Sequence, residues 1–92
     1  MFYTYVIQSR DSGKLYVGYS ADLKRRFREH KNGKCFTTAR MGEIELIHYE
    51  AYKSEDDALR REKYLKTTQG KRMLKIMLRY SLSKIKNSWL EL

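Results

Sequence analysis

Five side chains of this sequence have the chemical types that cleavage of a phosphodiester requires. Tyr5 and Tyr16 lie eleven positions apart, and Arg26 follows ten positions after the second tyrosine. His30 lies four residues beyond Arg26, and Glu62 comes much later in the chain. Tyrosines, an arginine, a histidine and a carboxylate on a small basic domain indicate a metal-dependent phosphodiesterase that acts on nucleic acid.

Each residue type has a task in that chemistry. Hydrolysis requires an activated water, stabilisation of charge on the phosphoryl oxygens and assistance to the departing alkoxide. A guanidinium such as that of Arg26 holds two phosphoryl oxygens at once. A tyrosine or histidine accepts a proton if its neighbours lower its pKa enough. A divalent ion, held here by Glu62, would supply Lewis acidity.

The first four of these five residues also have ordinary structural explanations. Tyr5 and Tyr16 are typical strand residues, which bury the ring and leave the hydroxyl in water. Arg26 follows Lys24 and Arg25 and fits a solvated helix face equally well. His30 is favourable near a helix C-terminus without any catalytic role.

Glu62 is the sharpest candidate, because it falls on the apolar stripe formed by Ala58, Leu59 and Leu65. A carboxylate on such a stripe faces the core or a cleft, and burying it is costly unless it is paired or bound to a cation. The structural alternative is an ion pair at the edge of the stripe. Its predicted partners are then Arg26, Arg61 or Lys66.

A β-hairpin and the helix after it must position the first four candidates. Residues 2–9 and 14–19 are predicted strands, and Asp11-Ser12-Gly13 has turn chemistry between them. The side-chain period of two in both strands brings Tyr5 and Tyr16 to one face.

A helix is expected to follow the hairpin directly. Ser20 is its predicted N-cap, with Asp22 in the first turn. The helix is predicted to run to about Asn32 and to stop at Gly33. Residues 33–42 then predict a polar, basic loop.

The second half of the chain predicts one strand and two helices. Residues 43–52 alternate, so that one face is expected to carry Ile44, Leu46 and His48 and the other Glu45, Ile47 and Tyr49. Ser54 is the predicted N-cap of a helix that contains Glu62. Residues 67–70 are expected to end this helix, and residues 71–81 to form another. Residues 82–92 predict a short helix or a tail after a domain of residues 1–81. The order β-β-α-β-α-α predicts an α+β fold, with helices against a small three-stranded sheet.

Composition restricts the class of partner. The chain has 92 residues, enough for one domain, and a net charge of +9 with a pI near 9.8. Such a surplus favours a polyanion, which means DNA, RNA or an anionic membrane surface. A ribosome-associated protein, or a merely soluble basic one, is the alternative.

Cysteine usage and hydropathy indicate the compartment. Cys35 is the only cysteine, so an intrachain disulfide is excluded and a reducing cytosol is favoured. No apolar run approaches the roughly 20 residues needed to span a bilayer, and the apolar start of the chain meets Arg10 too early for a signal peptide. We therefore expect a cytoplasmic protein that does not enter a membrane.

The ordered motifs resemble the GIY-YIG nuclease superfamily. The matching segments are Tyr3-Thr4-Tyr5, Tyr16-Val17-Gly18, Asp22-Leu23, residues 26–30, the loop 33–40 and the helix 58–66. The last two segments are similar to those of the small stand-alone bacterial proteins, a branch related to the N-terminal domain of an excinuclease component. The resemblance covers roughly residues 2–75, and the set with its spacing is specific, although each tripeptide alone is weak.

The resemblance implies a role for each candidate. Tyr5 and Tyr16 would flank the scissile phosphate, with Tyr16 a candidate base for water. Arg26 would clamp phosphoryl oxygens, and His30 would bond a phosphate oxygen or share the proton. Glu62 would be the only protein ligand of a Mg²⁺ or Mn²⁺ ion, which suits a metal that keeps most of its water.

The chain departs from the family pattern at three places. The first tripeptide is Tyr-Thr-Tyr rather than Gly-Ile-Tyr, which keeps the important tyrosine. Tyr19 stands where some members have a lysine. Leu74 stands about twelve residues after the metal glutamate, where many members have an asparagine.

The basic residues near the cleft are expected to hold the substrate. They are Lys24, Arg25, Arg28, Lys31, Lys34 and Arg40. Phosphate contacts of this kind give affinity without sequence choice. No separate recognition module is visible, so specificity would come from a protein partner or from the shape of the DNA, or the cleavage would be non-specific.

Together these observations predict a divalent-metal-dependent endonuclease that hydrolyses phosphodiester bonds in DNA, with RNA as a substrate left open. The first alternative is a non-catalytic nucleic-acid-binding module of the same fold. The second is a protein-interaction domain that uses Trp89 and the apolar tail.

Overall fold

The computed structural model describes residues 1–82, except for the side chain of Phe36. Its strands are β1 (Phe2–Ser9), β2 (Leu15–Ser20) and β3 (Ile44–Tyr52). Its helices are α1 (Leu23–Lys31), α2 (Phe36–Ala39), α3 (Glu55–Leu65) and α4 (Thr68–Met77). The α+β architecture is as predicted, and the short helix α2 within the predicted loop 33–42 is an addition to it.

The three strands form an antiparallel sheet in the order β2-β1-β3, so β1 is central and β2 lies at an edge. Tyr5 pairs with Gly18 on one side and with Tyr49 on the other. The hairpin between β1 and β2 turns at Gly13, whose φ of 76° favours glycine.

Each face of the sheet carries its own apolar cluster. The front face, against α1, holds Tyr5, Ile7 and Ile44, with Tyr16, Leu23, Phe27, Met41 and Leu46 packed around them. The back face, against α3 and α4, holds Val6, Val17, Leu65, Leu74, Leu78 and Leu82. Because successive strand residues point to opposite faces, β1 contributes its odd-numbered side chains to the front and its even-numbered ones to the back.

The predicted alternation of β3 is wrong from His48 onward. Ile7 pairs with Leu46 but Val6 pairs with His48, so one extra residue on β3 forms a bulge between them. Ile47 packs on the back cluster, and His48 stands opposite the back-facing Val6. Tyr49, opposite Tyr5, is therefore on the front face with Leu46.

Two of the predicted helix starts are also shifted. Helix α1 is capped by Asp22, whose carboxylate accepts from the backbone N–H of Arg25 at 3.1 Å. Ser20, the predicted cap, instead accepts from the N–H of Asp22 and donates to its carbonyl, both at 2.9 Å. Helix α4 begins at Thr68 rather than at residue 71, because the Thr67 hydroxyl caps it.

The described chain ends inside the back core, where the Leu82 side chain is buried. Of the helix or tail predicted over residues 82–92, residues 83–92, with Trp89, lie outside the described residues. Among the helices of residues 1–82, none combines the length and the hydropathy that a membrane span requires.

Candidate active site

The front face brings Tyr5 and His30 into direct contact. The Tyr5 hydroxyl lies 2.7 Å from Nε2 of His30, and both side chains are buried. The other ring nitrogen, Nδ1, lies 2.6 Å from the hydroxyl of Thr38 on α2. Both nitrogens of His30 are therefore engaged inside the protein, so of the two roles expected for His30, proton sharing fits this geometry better than a bond to a phosphate oxygen.

Tyr16 completes a triangle of rings with these two side chains. Its ring centroid lies 5.2 Å from that of His30 and 6.4 Å from that of Tyr5. Tyr16 is only partly buried, and its hydroxyl forms no hydrogen bond with any residue of the described part of the chain. Of the two tyrosines, Tyr16 is therefore the one that can meet a bound phosphate.

Gly18 makes room for this arrangement on the edge strand. A Cβ at this position would overlap the ring of Tyr5, which lies across the backbone of β2. The glycine of the second tripeptide is therefore required by close approach rather than by an unusual backbone angle, since its φ is not positive.

Arg26 lies beside Tyr5, on the helix that also carries His30. Its Nη1 group donates to Oε1 of Glu29 at 3.0 Å, and 38% of its side chain remains exposed. Hydrogen bonding to Tyr5 and to Glu29 raises the pKa of the Arg26 guanidinium above its usual value. Arg26 is therefore a fixed cation at the edge of the cluster.

Burial keeps Tyr5 and His30 uncharged near neutral pH. It raises the pKa of Tyr5 to about 12, although the neighbouring Arg26 acts in the opposite direction. Burial and the charge of Arg26 lower the pKa of His30, against a smaller opposing effect of Glu29. The cluster therefore contains a neutral phenol that meets a neutral imidazole.

Glu62 lies on α3, which packs against the back of the sheet, whereas the tyrosine cluster lies on the front. The Oε2 atom of Glu62 pairs with Nζ of Lys66 at 3.1 Å, and its side chain is 21% exposed. This is one of the structural partners that the sequence allowed. Nearby, Tyr19 donates to Oε2 of Glu55 at 2.6 Å. That bond raises the pKa of Tyr19 to about 12, and the negative charge of Glu62 acts in the same direction.

The edge strand β2 connects the two halves of the site. Tyr16 pairs with Ile7 and faces the front, whereas Tyr19 pairs with Thr4 and faces the back. Thr4 confirms this direction, because its hydroxyl donates to the carbonyl of Ala58 on α3 at 2.7 Å. The front cluster and Glu62 therefore lie on opposite faces of the sheet, and the exposed edge strand β2 lies between them.

The donor set fits a well-hydrated cation. Within residues 1–82 no group of three or more His, Cys, Asp or Glu side chains is placed to hold a metal ion. A lone carboxylate at Glu62 suits Mg²⁺, which keeps several waters and takes only one or two protein carboxylates. It does not suit Zn²⁺, which requires three or four protein ligands.

The six predicted substrate-holding residues are all exposed, four of them on α1 and two near α2. Arg25 also pairs with Asp22 and with Glu29. Nζ of Lys31 lies 5.8 Å from the centre of the Phe27 ring. The basic charge thus borders the front cluster along one helix.

Sequence reasoning missed the residues that support the site. Glu29 lies one helical turn after Arg26, and this spacing alone signals the pair that forms. Thr38 gave no signal, because its contact with His30 depends on the fold of a loop. Glu55 and Tyr19 meet only through the packing of α3 on the sheet.

The order and geometry of these residues agree with a known domain. The family model described as the GIY-YIG catalytic domain matches residues 1–75 of this chain. The chain belongs to the GIY-YIG family. This GIY-YIG domain therefore extends from β1 into α4 and includes every predicted site residue.

Relatives of this GIY-YIG protein are of similar size. It is 32% identical over 77 residues to a UPF0213 protein of Staphylococcus saprophyticus, covering 82% of this chain and 92% of the relative. It is 41% identical over 73 residues to a UPF0213 protein of Streptococcus agalactiae, covering 75% and 81%. The solution NMR structure of a UPF0213 protein from Bacillus halodurans is similar with a TM-score of 0.54 and 28% identity, covering 95% of this chain and 99% of that one.

Proposed function

We propose that this GIY-YIG protein is a divalent-metal-dependent endonuclease that hydrolyses phosphodiester bonds in DNA. Branched, nicked or otherwise distorted DNA is the expected substrate. The observation that carries the proposal is the packing of Tyr5, Tyr16 and His30 around one another beside Arg26. A buried imidazole with a perturbed pKa in contact with phenols and a guanidinium is typical of functional sites.

Arg26 is the residue that would bind the scissile phosphate. Glu29 holds one of its N–H groups, which fixes the direction of the guanidinium. The planar guanidinium has five donors in total, so further donors can bond phosphoryl oxygens in a bidentate manner. Charge that develops on those oxygens in the transition state would be stabilised by a donor already in place.

Tyr16, as the phenolate formed when its own proton leaves to solvent, is the candidate acceptor of the proton from the attacking water. Its ring is held at its edge by His30, and its hydroxyl is not bonded to another described residue. Tyr5 lies behind it, fully buried, with its hydroxyl in a hydrogen bond with Nε2 of His30. Tyr5 and His30 would thus fix the position of Tyr16 and give the site an internal proton acceptor.

Glu62 would hold the divalent ion at the other side of β2. When bound there, the ion supplies Lewis acidity and stabilises the departing alkoxide. Tyr19 and Glu55 lie on the same back face of the sheet as Glu62. Their polar groups would surround the water molecules that complete the coordination of such an ion. The basic residues of α1 would hold the strand through its phosphates, without sequence choice.

The test is cleavage of a panel of linear, nicked, branched and single-stranded DNA substrates, together with matched RNA, by the purified chain in Mg²⁺ or Mn²⁺. We expect at least one DNA substrate to be cut, and Glu62→Gln and Arg26→Lys each to reduce the rate at least 100-fold, by analogy with loss of a single oxyanion donor. Glu43→Gln, an exposed carboxylate away from the site, is the matched control. Equal behaviour of all four proteins on the whole panel would reject a catalytic role.

One observation favours the non-catalytic alternative. Glu62 already has a partner in Lys66, as a simple helix-surface ion pair would. A binding module of this fold predicts salt-sensitive DNA binding that needs no metal and that survives Glu62→Gln. The same proteins, assayed for binding with and without Mg²⁺, therefore distinguish the two functions.

A further inference from the structure

Thr38 connects the short helix α2 to the front cluster. Its side chain is 1% exposed, and its hydroxyl oxygen lies 2.6 Å from Nδ1 of His30. Helix α2 has only four residues and follows α1 after a turn at Gly33, whose φ is +72°. The helix places a single buried hydroxyl against the histidine, on the side away from Tyr5.

The hydrogen-bond directions around His30 form one consistent series. A helical threonine commonly donates to a carbonyl three or four residues earlier, and the Thr38 hydroxyl reaches the carbonyl of Cys35 at 3.4 Å. Its oxygen then accepts a hydrogen bond from the N–H at Nδ1 of His30. With Nδ1 carrying the hydrogen, Nε2 of the neutral ring has the lone pair that accepts from Tyr5.

Arg26 favours the same directions from the Tyr5 end of the series. Its guanidinium can only donate, and its positive charge lies close enough to Tyr5 to act on the pKa of that phenol. With a cation on that side of its oxygen, Tyr5 directs its own hydrogen to Nε2 of His30, which lies 2.7 Å away.

We propose that Thr38 is a positioning residue, which holds His30 in the tautomer with hydrogen on Nδ1 and so keeps Nε2 as the hydrogen-bond acceptor for Tyr5. The tautomer of a neutral histidine is set by the bond that its second nitrogen makes. The catalytic consequence of Thr38 rests on the proposed nuclease function. The tautomer itself does not, and it is measured without any substrate.

The experiment is a long-range ¹H–¹⁵N correlation spectrum of the imidazoles in the uniformly ¹⁵N-labelled full chain at a pH above 7. His48 is the second of two histidines and serves as an internal reference, since its Nε2 atom lies 3.0 Å from Glu50 instead. We expect the Nδ1–H tautomer for His30 in the wild type and in Thr38→Ser, which keeps the hydroxyl. Thr38→Val has nearly the same shape but no acceptor, and we expect its His30 to populate the Nε2–H form.

Cleavage assays on the same three proteins give the second measurement. We expect Thr38→Val to lower the cleavage rate about 10- to 100-fold, as removal of an orienting partner commonly does, and Thr38→Ser to restore it to within a few-fold. An Nε2–H tautomer in the wild type would overturn the proposal even if Thr38→Val failed to fold. So would an unchanged tautomer in a folded Thr38→Val. The predicted tautomers together with no cleavage by the wild type would reject the nuclease function and leave the positioning of His30 standing.

Discussion

At the scale of residues, the two tyrosines of the motif have different environments. Tyr5 is fully buried with its hydroxyl bonded to His30, whereas Tyr16 is partly exposed. The first belongs to the interior of the site and the second to its surface. Removing the two hydroxyls should therefore have different effects on stability and on catalysis.

Tyr5→Phe is expected to lower the free energy of unfolding by about 1–2 kcal/mol, because it leaves a buried acceptor on His30 without its donor. Tyr16→Phe is expected to change it by less than about 0.5 kcal/mol, as for substitutions away from structural contacts. Cleavage should nevertheless fall more in Tyr16→Phe, since that hydroxyl is the candidate base. Urea unfolding and cleavage rates measure both effects. Equal losses of stability in the two variants would contradict the assignment.

Sequence spacing could predict which of these side chains lie on one face, and the limits of such a prediction are physical. The interval between Tyr5 and Tyr16 follows from the geometry of a hairpin, so one face could be assigned to both from the sequence. The turn from Arg26 to His30 follows from helical periodicity in the same way. The role of Thr38 could not be predicted from spacing, because its contact with His30 joins two segments through tertiary packing.

At the scale of elements, an ion-pair network fixes α3 on the back of the sheet. Arg61 reaches Glu50 on β3 with Nε at 2.9 Å and Nη2 at 3.2 Å. His48 and Tyr52 bond the same carboxylate. Since Arg61 directly precedes Glu62, this network sets the rotation of α3 and so the direction of the candidate metal ligand.

The network makes a prediction about acid stability. Burial alone would raise the pKa of Glu50, but bonds from Arg61, His48 and Tyr52 hold it at about 2, below the ordinary 4.5. The unfolded chain therefore takes up this proton first, and the stability that Glu50 contributes above pH 4.5 is lost as the pH falls towards 2. The advantage of the wild type over Glu50→Gln should shrink by about 1–2 kcal/mol across that interval, after allowance for solvent screening.

Unfolding by urea between pH 6 and pH 2 measures this difference at each pH. Glu45→Gln, an exposed carboxylate on the same strand, is the matched control and should follow the wild type. If the wild type and Glu50→Gln differed by a constant amount over the whole range, the network would not have the proposed strength.

The element order could be predicted from the sequence, and two features of it could not. Hydrophobic periodicity gives the strands and the long helices, but the bulge in β3 depends on how Ile47 packs against the back cluster. Helix α2 is too short for periodicity to show. Leu74 occupies the position at which many family members have an asparagine. Its side chain is fully buried in the back core, so this position contributes to packing here.

At the scale of the whole molecule, positive charge accompanies the candidate site. The net charge is +9, and α1 carries exposed basic residues beside the front cluster. Such a surface attracts polyanions over a long range and binds them with strong dependence on salt. Substrate phosphates would thus be bound beside the tyrosine cluster, on the front of a single small domain.

The double variant Lys24→Ala/Arg28→Ala should weaken DNA binding and make it less sensitive to salt. If each side chain neutralises one phosphate, the slope of log K against log salt should decrease in magnitude by about 2. The control is Lys53→Ala/Lys63→Ala, which removes the same charge from exposed positions around α3. A similar change of slope in the control would show that binding is not localised on α1.

Glu62 behind β2 and the tyrosine cluster in front of it are proposed to form one metal-dependent site. Paramagnetic Mn²⁺, titrated into the ¹⁵N-labelled chain, tests this directly through the amide signals that it broadens. We expect substoichiometric Mn²⁺ to broaden the signals of Glu62, Tyr19 and Tyr16 first, and Glu62→Gln to abolish this broadening. Broadening that is confined to the acidic first turn of α3, or that is unchanged in Glu62→Gln, would contradict this proposal.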